Sequence, residues 1–235
     1  MRAGHLPGRP VSSVTRAPLC PLQSLAMRNL AEPADDPEVD DGHRRGRILR
    51  ALAASMAEKG YQGTTIADIA RAGRVSKTIV YAHFRDKEEC LLELYTRATD
   101  HVLETVRVAQ DDARRAGLPW RERLRSVVGA YLAALAAAPD IAWAALVEVQ
   151  AAGRAALTLR RFVIDRYVDL ITGFAAELAT EHPDEVRAVP RELVVAAVGG
   201  INELLLARVE RGDAARLGDD ADVAADVVIG LLERR

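Results

Sequence analysis

The side chains with the most definite chemistry in this 235-residue sequence are cationic and hydroxyl-bearing residues between positions 43 and 87. This segment has ten Lys or Arg residues against three Asp or Glu, a charge of +7, and it holds all three lysines of the chain, Lys59, Lys77 and Lys87. Residues 88–235 carry −7 and residues 1–42 carry −2. Clustered cations favour a polyanion as the partner of this first module alone. A solvated basic face without a partner is the alternative.

The elements that must position these side chains are marked by three helix caps between positions 65 and 86. Thr65 with Asp68 has the capping-box pattern, Ser76 is a second N-cap, and Asp86 with the acid three residues later is a third. Gly60 stands where a left-handed C-terminal cap is expected. The caps and the apolar spacing predict helices at 43–59, 65–72, 77–83 and 87–107.

Two short helices joined by a tight turn are the helix-turn-helix plan, in which the second helix enters the major groove of DNA. Val75, Ile79 or Val80, and Phe84 can face inward. The outward candidates of the second helix are Ser76, Lys77, Thr78, Tyr81 and His83. An ordinary small helical bundle is the alternative, since any single cap is common.

The stretch from Gly60 to Leu91 resembles the N-terminal domain of the TetR family of transcriptional regulators, over about 48 of the 235 residues. The Thr-Thr, Ile-Ala, Val-Ser, Tyr-x-x-Phe and Asp-Lys-Glu pairs and triplets occur in the family's order and spacing. The resemblance implies phosphate contacts by Tyr81 and Lys87 and groove contacts by Ser76, Lys77 and Thr78. Thr65 and His83 complete the set of predicted DNA-binding residues. The sequence departs from the family pattern at Arg74, where Gly is usual, and at Ile79, where Thr is usual.

The composition of the whole chain predicts an all-α fold, and its pattern of helices predicts two domains. Aromatic residues make up 4% of the chain, and the abundant Ala, Leu, Val, Arg and Glu favour helix. The predicted domains are a DNA-binding domain at 43–90, with the helix-turn-helix at about 65–84, and a helical effector-binding and dimerisation domain at 91–235. Helices of this second domain are expected at 120–138, 140–152, 154–180, 191–210 and from 219 to the end.

Two of these helices, 154–180 and 191–210, are apolar around much of their girth, as buried helices are. In the TetR family the last two long helices pair with those of a second subunit, so the resemblance implies a homodimer through these helices. The core of a monomer is the alternative.

An apolar effector site is predicted inside the helical domain, because aromatic side chains and a few polar groups share its apolar helices. The predicted ligand contacts are Tyr131, Trp143, Glu148, Phe162 and Asn202. Plain core packing is the alternative for each aromatic residue.

The sequence favours neither a membrane nor a secreted protein. The longest apolar run, 127–138, is shorter than the roughly 18 to 20 residues of a spanning helix. Two distant cysteines, Cys20 and Cys90, offer no disulfide framework, so a cytoplasmic location is expected. Residues 1–42 contain six prolines and an acidic run, which predicts a disordered tail dispensable for folding. Met27 is an alternative start.

Enzymatic signatures, metal-ligand spacings and cofactor motifs do not occur, so no catalytic residue, metal or cofactor is predicted. The functional hypothesis is a repressor that binds a pseudo-palindromic double-stranded operator as a homodimer and is released by a small apolar effector. A regulator of the same fold without such an effector, either an activator or one that responds to a protein, is the alternative. A helical enzyme with an incidental basic segment is the third possibility.

Overall fold

The computed structural model describes residues 41–234 as an all-α protein, as predicted; the tail predicted at 1–42 lies almost wholly outside these residues. Within them no strand is formed, and Val186 and Glu233 make one isolated antiparallel bridge. A π-helical segment spans Ala144–Glu148 and a 3₁₀ segment spans Ala214–Asp220. The α-helices are α1 Asp41–Gly63, α2 Ile66–Ala72, α3 Lys77–His83, α4 Lys87–Arg115, α5 Trp120–Ala136, α6 Pro139–Trp143, α7 Val149–Ala151, α8 Arg154–Glu181, α9 Arg191–Glu210 and α10 Ala221–Leu232.

The three predicted caps begin α2, α3 and α4. The Thr65 hydroxyl accepts from the Asp68 amide while the Asp68 carboxylate accepts from the Thr65 amide, which completes the capping box. Ser76 accepts from the Ile79 amide. Asp86 accepts from the amide of the residue three positions later, at 2.8 Å. These starts are confirmed because a cap depends only on residues three apart in sequence.

Helix α1 extends beyond its predicted end at position 59. Gly60 has the expected left-handed backbone, with φ 69°. The helix assignment nevertheless continues through this kink to Gly63, so residues 60–63 form an extra turn that leads into the Thr65 cap. The kink turns the chain between the first helix and the helix-turn-helix.

The turn between α2 and α3 places the left-handed conformation at Arg74, with φ 50°, whereas Gly73 has φ −77°. Arg74 is the one residue other than glycine with positive φ between positions 41 and 234. Gly73 is needed for space, because a Cβ there would lie 3.1 Å from the Ile69 carbonyl oxygen and 3.3 Å from the Ala51 Cβ. Arg74, which stands where the family pattern has Gly, therefore adopts a backbone conformation that glycine adopts more easily than arginine.

Helix α4 was predicted to end near position 107 and continues to Arg115. Its buried stripe extends through Val106 and Ala113, and Gly117, with φ 66°, follows the helix as a C-terminal glycine signal. The helix predicted at 140–152 is confirmed as a continuous helical stretch from Pro139 to Ala151, and the structure adds the π segment within it. The helices predicted at 120–138, 154–180 and 191–210 are confirmed to within two residues, and the last one is preceded by the 3₁₀ segment.

The largest core cluster crosses from the helix-turn-helix into the rest of the molecule. It contains Ile48 and Leu52 of α1, Ile69 of α2, Val80 of α3, and Phe84, which directly follows α3. It also contains residues of α4, the π segment, α7 and α8, namely Leu91, Leu94, Ala144, Val149, Ala156 and Val163. The first three helices therefore share a core with the helical body, and α1 makes most of the direct contact.

In residues 41–234 no single helix is long and apolar enough to cross a membrane, although helices Trp120–Ala136 and Pro139–Ala151, bent by 100°, reach that composition as a pair.

The tight fit at Gly73 predicts that Gly73→Ala lowers the free energy of unfolding by about 1 to 3 kcal/mol through overpacking against Ile69 and Ala51. The matched control is Gly129→Ala in α5, where nothing lies within 4 Å of the new Cβ, and this variant should gain roughly 0.5 to 1 kcal/mol from helix propensity. Urea unfolding monitored by circular dichroism measures both. Equal effects of the two substitutions would contradict the packing argument.

Candidate nucleic-acid interface and ligand cavity

Helix α3 presents one polar face to solvent and buries the other. Ser76, Lys77, Thr78 and Tyr81 are exposed, and the Tyr81 ring is 57% accessible. On the opposite face Val80 is fully buried, and Ile79 packs against the same core cluster. The structure thus brings four of the predicted DNA contacts onto one exposed surface.

His83 does not share that surface, contrary to the outward position expected from the sequence. Its side chain is only 9% exposed, with Nδ1 3.5 Å from the Asp41 carboxylate. His83 is the last residue of α3, where the helix meets α1, and this position turns the ring inward.

Arg45 of α1 holds this end of α3 in place. Its guanidinium donates to the His83 carbonyl oxygen at 3.1 Å and lies 4.5 Å from the centroid of the Phe84 ring. Two further bonds reach the Glu93 carboxylate of α4, one of them at 2.6 Å from Nε, and lower the pKa of Glu93. A cation near the last carbonyls of a helix is favourable. The sequence counted Arg45 only as part of the basic segment.

Thr65 is exposed, but its hydroxyl is already engaged in the cap. It donates to the Asp68 carboxylate at 2.6 Å and accepts the Asp68 amide at 3.2 Å. Asp68 also accepts from Lys59 at 2.7 Å and from Arg71 at 2.6 Å. Bonds from Lys59 and Thr65 hold the pKa of the Asp68 carboxyl far below its ordinary value.

Lys87 is half-buried at the start of α4, and its ammonium is used by the protein. It donates to the carbonyl oxygens of Tyr61 at 2.5 Å and Thr64 at 2.8 Å and lies 4.2 Å from the centroid of the Tyr61 ring. Burial lowers the pKa of this lysine. An ammonium has three N–H donors, so one remains for the predicted phosphate contact.

A cavity of about 850 Å³ lies in the helical body, between α4, α5, the π segment, α8 and α9. Its apolar wall includes Val102, Leu135, Ile141, Leu146 and Ile164. Its polar groups are the tyrosines Tyr95, Tyr131 and Tyr167, the uncharged residues Thr99, Gln150, Thr158 and Asn202, His101, the acids Asp165 and Glu203, and the arginines Arg154, Arg160, Arg161 and Arg191. A concave site that combines an apolar lining with polar groups is typical of small-molecule sites.

Three tyrosines give the cavity neutral hydrogen-bonding groups. Tyr131 and Tyr167 meet edge to face, with ring centroids 5.6 Å apart. Burial raises the pKa of both and raises that of Tyr95 to about 12. Burial also lowers the pKa of His101. At neutral pH these groups are uncharged, so the charge at the cavity comes from Arg and acidic residues.

Of the five predicted ligand contacts, Tyr131 and Asn202 line the cavity, and the other three do not. Phe162 is 60% exposed on the outer surface of α8. Glu148 and Trp143 bond to each other outside the cavity, with 2.9 Å between the indole Nε1 and the carboxylate. These three residues lie away from the cavity because apolar spacing places a residue on a helix but does not say which neighbouring helix its side chain meets.

The comparisons with known proteins agree with this geometry. Residues 48–94 match the family model described as "Bacterial regulatory proteins, tetR family". Over 88 residues the chain is 34% identical to the transcriptional activator FasR of Mycolicibacterium smegmatis, covering 37% of this chain and 38% of FasR. Over 51 residues it is 43% identical to the repressor KstR2 of Mycobacterium tuberculosis, covering 22% of this chain and 26% of KstR2. The matches thus span less than half of these relatives.

Solved structures resemble the whole described chain in fold. The fatty acid degradation regulator FadR from Bacillus halodurans has a TM-score of 0.71 at 19% identity, covering 86% of this chain and 100% of that one. FadR from Bacillus subtilis, in complex with stearoyl-CoA, has a TM-score of 0.64 at 16% identity, covering 78% and 96%. The fold and the exposed helix are those of a helix-turn-helix protein. Over residues 48–94 the chain is similar to the TetR family.

The low pKa of Asp68 predicts a pH-dependent stability. A carboxylate whose pKa falls on folding adds stability above its unfolded-state pKa of about 3.9 and loses that contribution as the pH drops below it. Asp68→Asn should therefore be less stable than the parent at pH 7, and the difference should shrink at pH 3. Urea midpoints at the two pH values measure it. Asp100→Asn, which removes an exposed partner of Arg166, is the control and should show no comparable pH-dependent difference.

Proposed function

We propose that this chain is a homodimeric repressor that binds a pseudo-palindromic operator through α3 and is released when an amphipathic effector fills the cavity. The observation that carries the DNA-binding part is the exposed face of Lys77, Thr78 and Tyr81 on a helix whose opposite face is buried. A major groove about 12 Å wide admits one such helix. Exposed Arg71 and Arg74 precede α3 in the sequence and exposed Arg85 follows it, and such cations are what phosphates require.

Dimerisation through α8 and α9 is supported by large apolar side chains that these helices expose. Phe162 of α8 and Leu193 of α9 are 60% and 42% exposed and lie outside the cavity lining. Leu157 and Val195 are also exposed, at the edge of the cavity that they line. Exposed apolar side chains grouped on two neighbouring helices are typical of an interface. A twofold dimer would offer two α3 helices to successive major grooves about 34 Å apart.

The cavity favours an effector with an apolar body and a negatively charged group. Four arginines and two acids line the cavity, so its cations outnumber its carboxylates. Arg191 pairs with Asp165, whereas Arg154, Arg160 and Arg161 are in none of the ion pairs formed within residues 41–234. Arg160 is near enough to Tyr95 to lower the phenol's pKa against the effect of burial. The apolar wall suits a hydrocarbon chain, and the FadR structure with stearoyl-CoA supplies a probe of this chemistry.

The alternative, activation instead of repression, has one observation in its favour, because the relative FasR is named an activator. Footprinting on the promoter region beside the chain's own gene would identify the operator. Transcription from that promoter in the presence of the protein would then separate a repressor from an activator.

The exposed position of Lys77 predicts that Lys77→Ala weakens DNA binding without loss of stability. If Lys77 contacts a phosphate, the slope of log affinity against log salt should fall in magnitude by roughly 1 per subunit. If Lys77 contacts a base edge, the preference among operator variants should change instead. Arg115→Ala is the control, since its position at the far end of α4 is about 40 Å along the helix from Lys87. An unchanged affinity and preference in Lys77→Ala would contradict the interface.

Effector and operator should oppose each other in binding. The probes are stearoyl-CoA, stearate and free coenzyme A, each tested separately. Stearoyl-CoA should weaken operator binding by roughly 5 to 150-fold, and operator should weaken stearoyl-CoA binding by the same factor. Arg160→Gln should weaken an anionic probe about tenfold while leaving operator affinity without probe unchanged. The control is Arg107→Gln, outside the cavity. Probe affinity that is identical with and without operator would contradict the coupling.

A further inference from the structure

The carboxylate of Glu148 joins the helical body to the DNA-binding domain. Glu148 is the last residue of the π segment and is only 8% exposed. One carboxylate oxygen accepts the backbone N–H of Tyr61 at 2.6 Å, and the other accepts the indole N–H of Trp143 at 2.9 Å. Both oxygens are therefore used, one toward each part of the molecule.

The partner of this carboxylate is the turn that leads into the helix-turn-helix. Tyr61 follows the left-handed Gly60, and a Cβ on Gly60 would lie 3.7 Å from both Glu148 oxygens. The same turn continues to Thr64, whose amide bonds the Gly60 carbonyl at 3.2 Å, and then to the Thr65 cap of α2. A displacement of this turn therefore moves the start of α2.

The other side of the same π segment forms a wall of the cavity. Ala145 and Leu146 line it, as do Ile141 and Ala142 just before the segment. Glu148 follows Leu146 by two residues, so a ligand that displaces this wall also displaces the carboxylate. A π-helical turn interrupts the regular α hydrogen-bonding pattern and is frequent at functional sites. One short segment thus touches both the cavity and the turn that positions the helix-turn-helix.

We propose that Glu148 is a positioning residue that couples occupancy of the cavity to the placement of the helix-turn-helix. The inference rests on the proposed function, because it requires both operator binding and a cavity that responds. Operator favours the state in which Glu148 holds the Tyr61 amide. By linkage, operator binding then orders the π segment even when the cavity is empty.

Hydrogen exchange with and without operator tests this, and it requires no effector. In the parent protein, operator should slow exchange in residues 66–84 and also in residues 141–151, the latter by about fivefold, the lower end of ordinary coupling. In Glu148→Gln the carboxamide presents N–H groups to one of the two donors. The variant should keep the slowing at 66–84 and lose it at 141–151.

Two controls separate coupling from general loosening. Asp220→Asn alters a similarly buried carboxylate, bonded to Arg208 within the body, and Gln62→Ala removes an exposed bond from the same turn to the Ala151 carbonyl. Both should keep the operator-dependent slowing at 141–151. If Glu148→Gln does not fold, as judged by circular dichroism, Trp143→Phe frees one carboxylate oxygen and should lessen the slowing.

Each result is decisive. Absence of slowing at 66–84 in the parent protein would overturn the proposed DNA binding itself. Slowing at 66–84 with none at 141–151 would overturn the coupling alone. Slowing at 141–151 that persists in Glu148→Gln and also in Glu148→Ala, which removes both acceptor oxygens, would show that another contact carries it.

Discussion

The structure depends on one constraint: α3, the exposed helix of the helix-turn-helix, has seven residues and is too short to be stable by itself. Isolated helices below roughly 12 to 15 residues are marginal in water. Helix α3 is held at its start by the Ser76 cap, on its inner face by Val80 and at its end by Arg45, which bonds the His83 carbonyl. Arg45 in turn is fixed by Glu93 of α4. The exposed face of α3 is free for a ligand because these other contacts are made.

The same constraint explains why the DNA-binding domain and the body share a core. The α1 to α3 region is small, and its apolar residues bury part of their surface against α4, the π segment and α8. A small domain buries a limited fraction of its surface, so such packing adds stability that the region lacks alone. The domain boundary expected at position 90 falls within α4, and no gap in the core marks it. Motion in the body can therefore be felt at the helix-turn-helix through contact.

The local features of the fold were predictable from the sequence, and the tertiary ones were not. Caps at Thr65, Ser76 and Asp86 depend on neighbours a few residues away, and each begins a helix as expected. The π segment and the positive φ of Arg74 depend on distant packing. Tyr131 and Asn202 line the cavity and remain predicted ligand contacts, whereas Glu148 bonds Tyr61 instead. The partner of such a polar residue lies on another element, which its own helix does not reveal. Arg45 was missed for the same reason.

Two routes from the cavity converge on the turn at residues 60–64. Helix α4 carries Tyr95 and Val102 on the cavity wall, and Lys87 at its start grips the turn through the Tyr61 and Thr64 carbonyls. Glu148 grips the Tyr61 amide from the other side. Rigid elements displaced together would carry the turn with them, whereas displacement of one relative to the other would strain it. The π segment holds the N–H of Tyr61 and α4 holds its carbonyl, so the turn is sensitive to movement of α4 relative to the π segment. A ligand bound between α4 and the π segment would change this relative position.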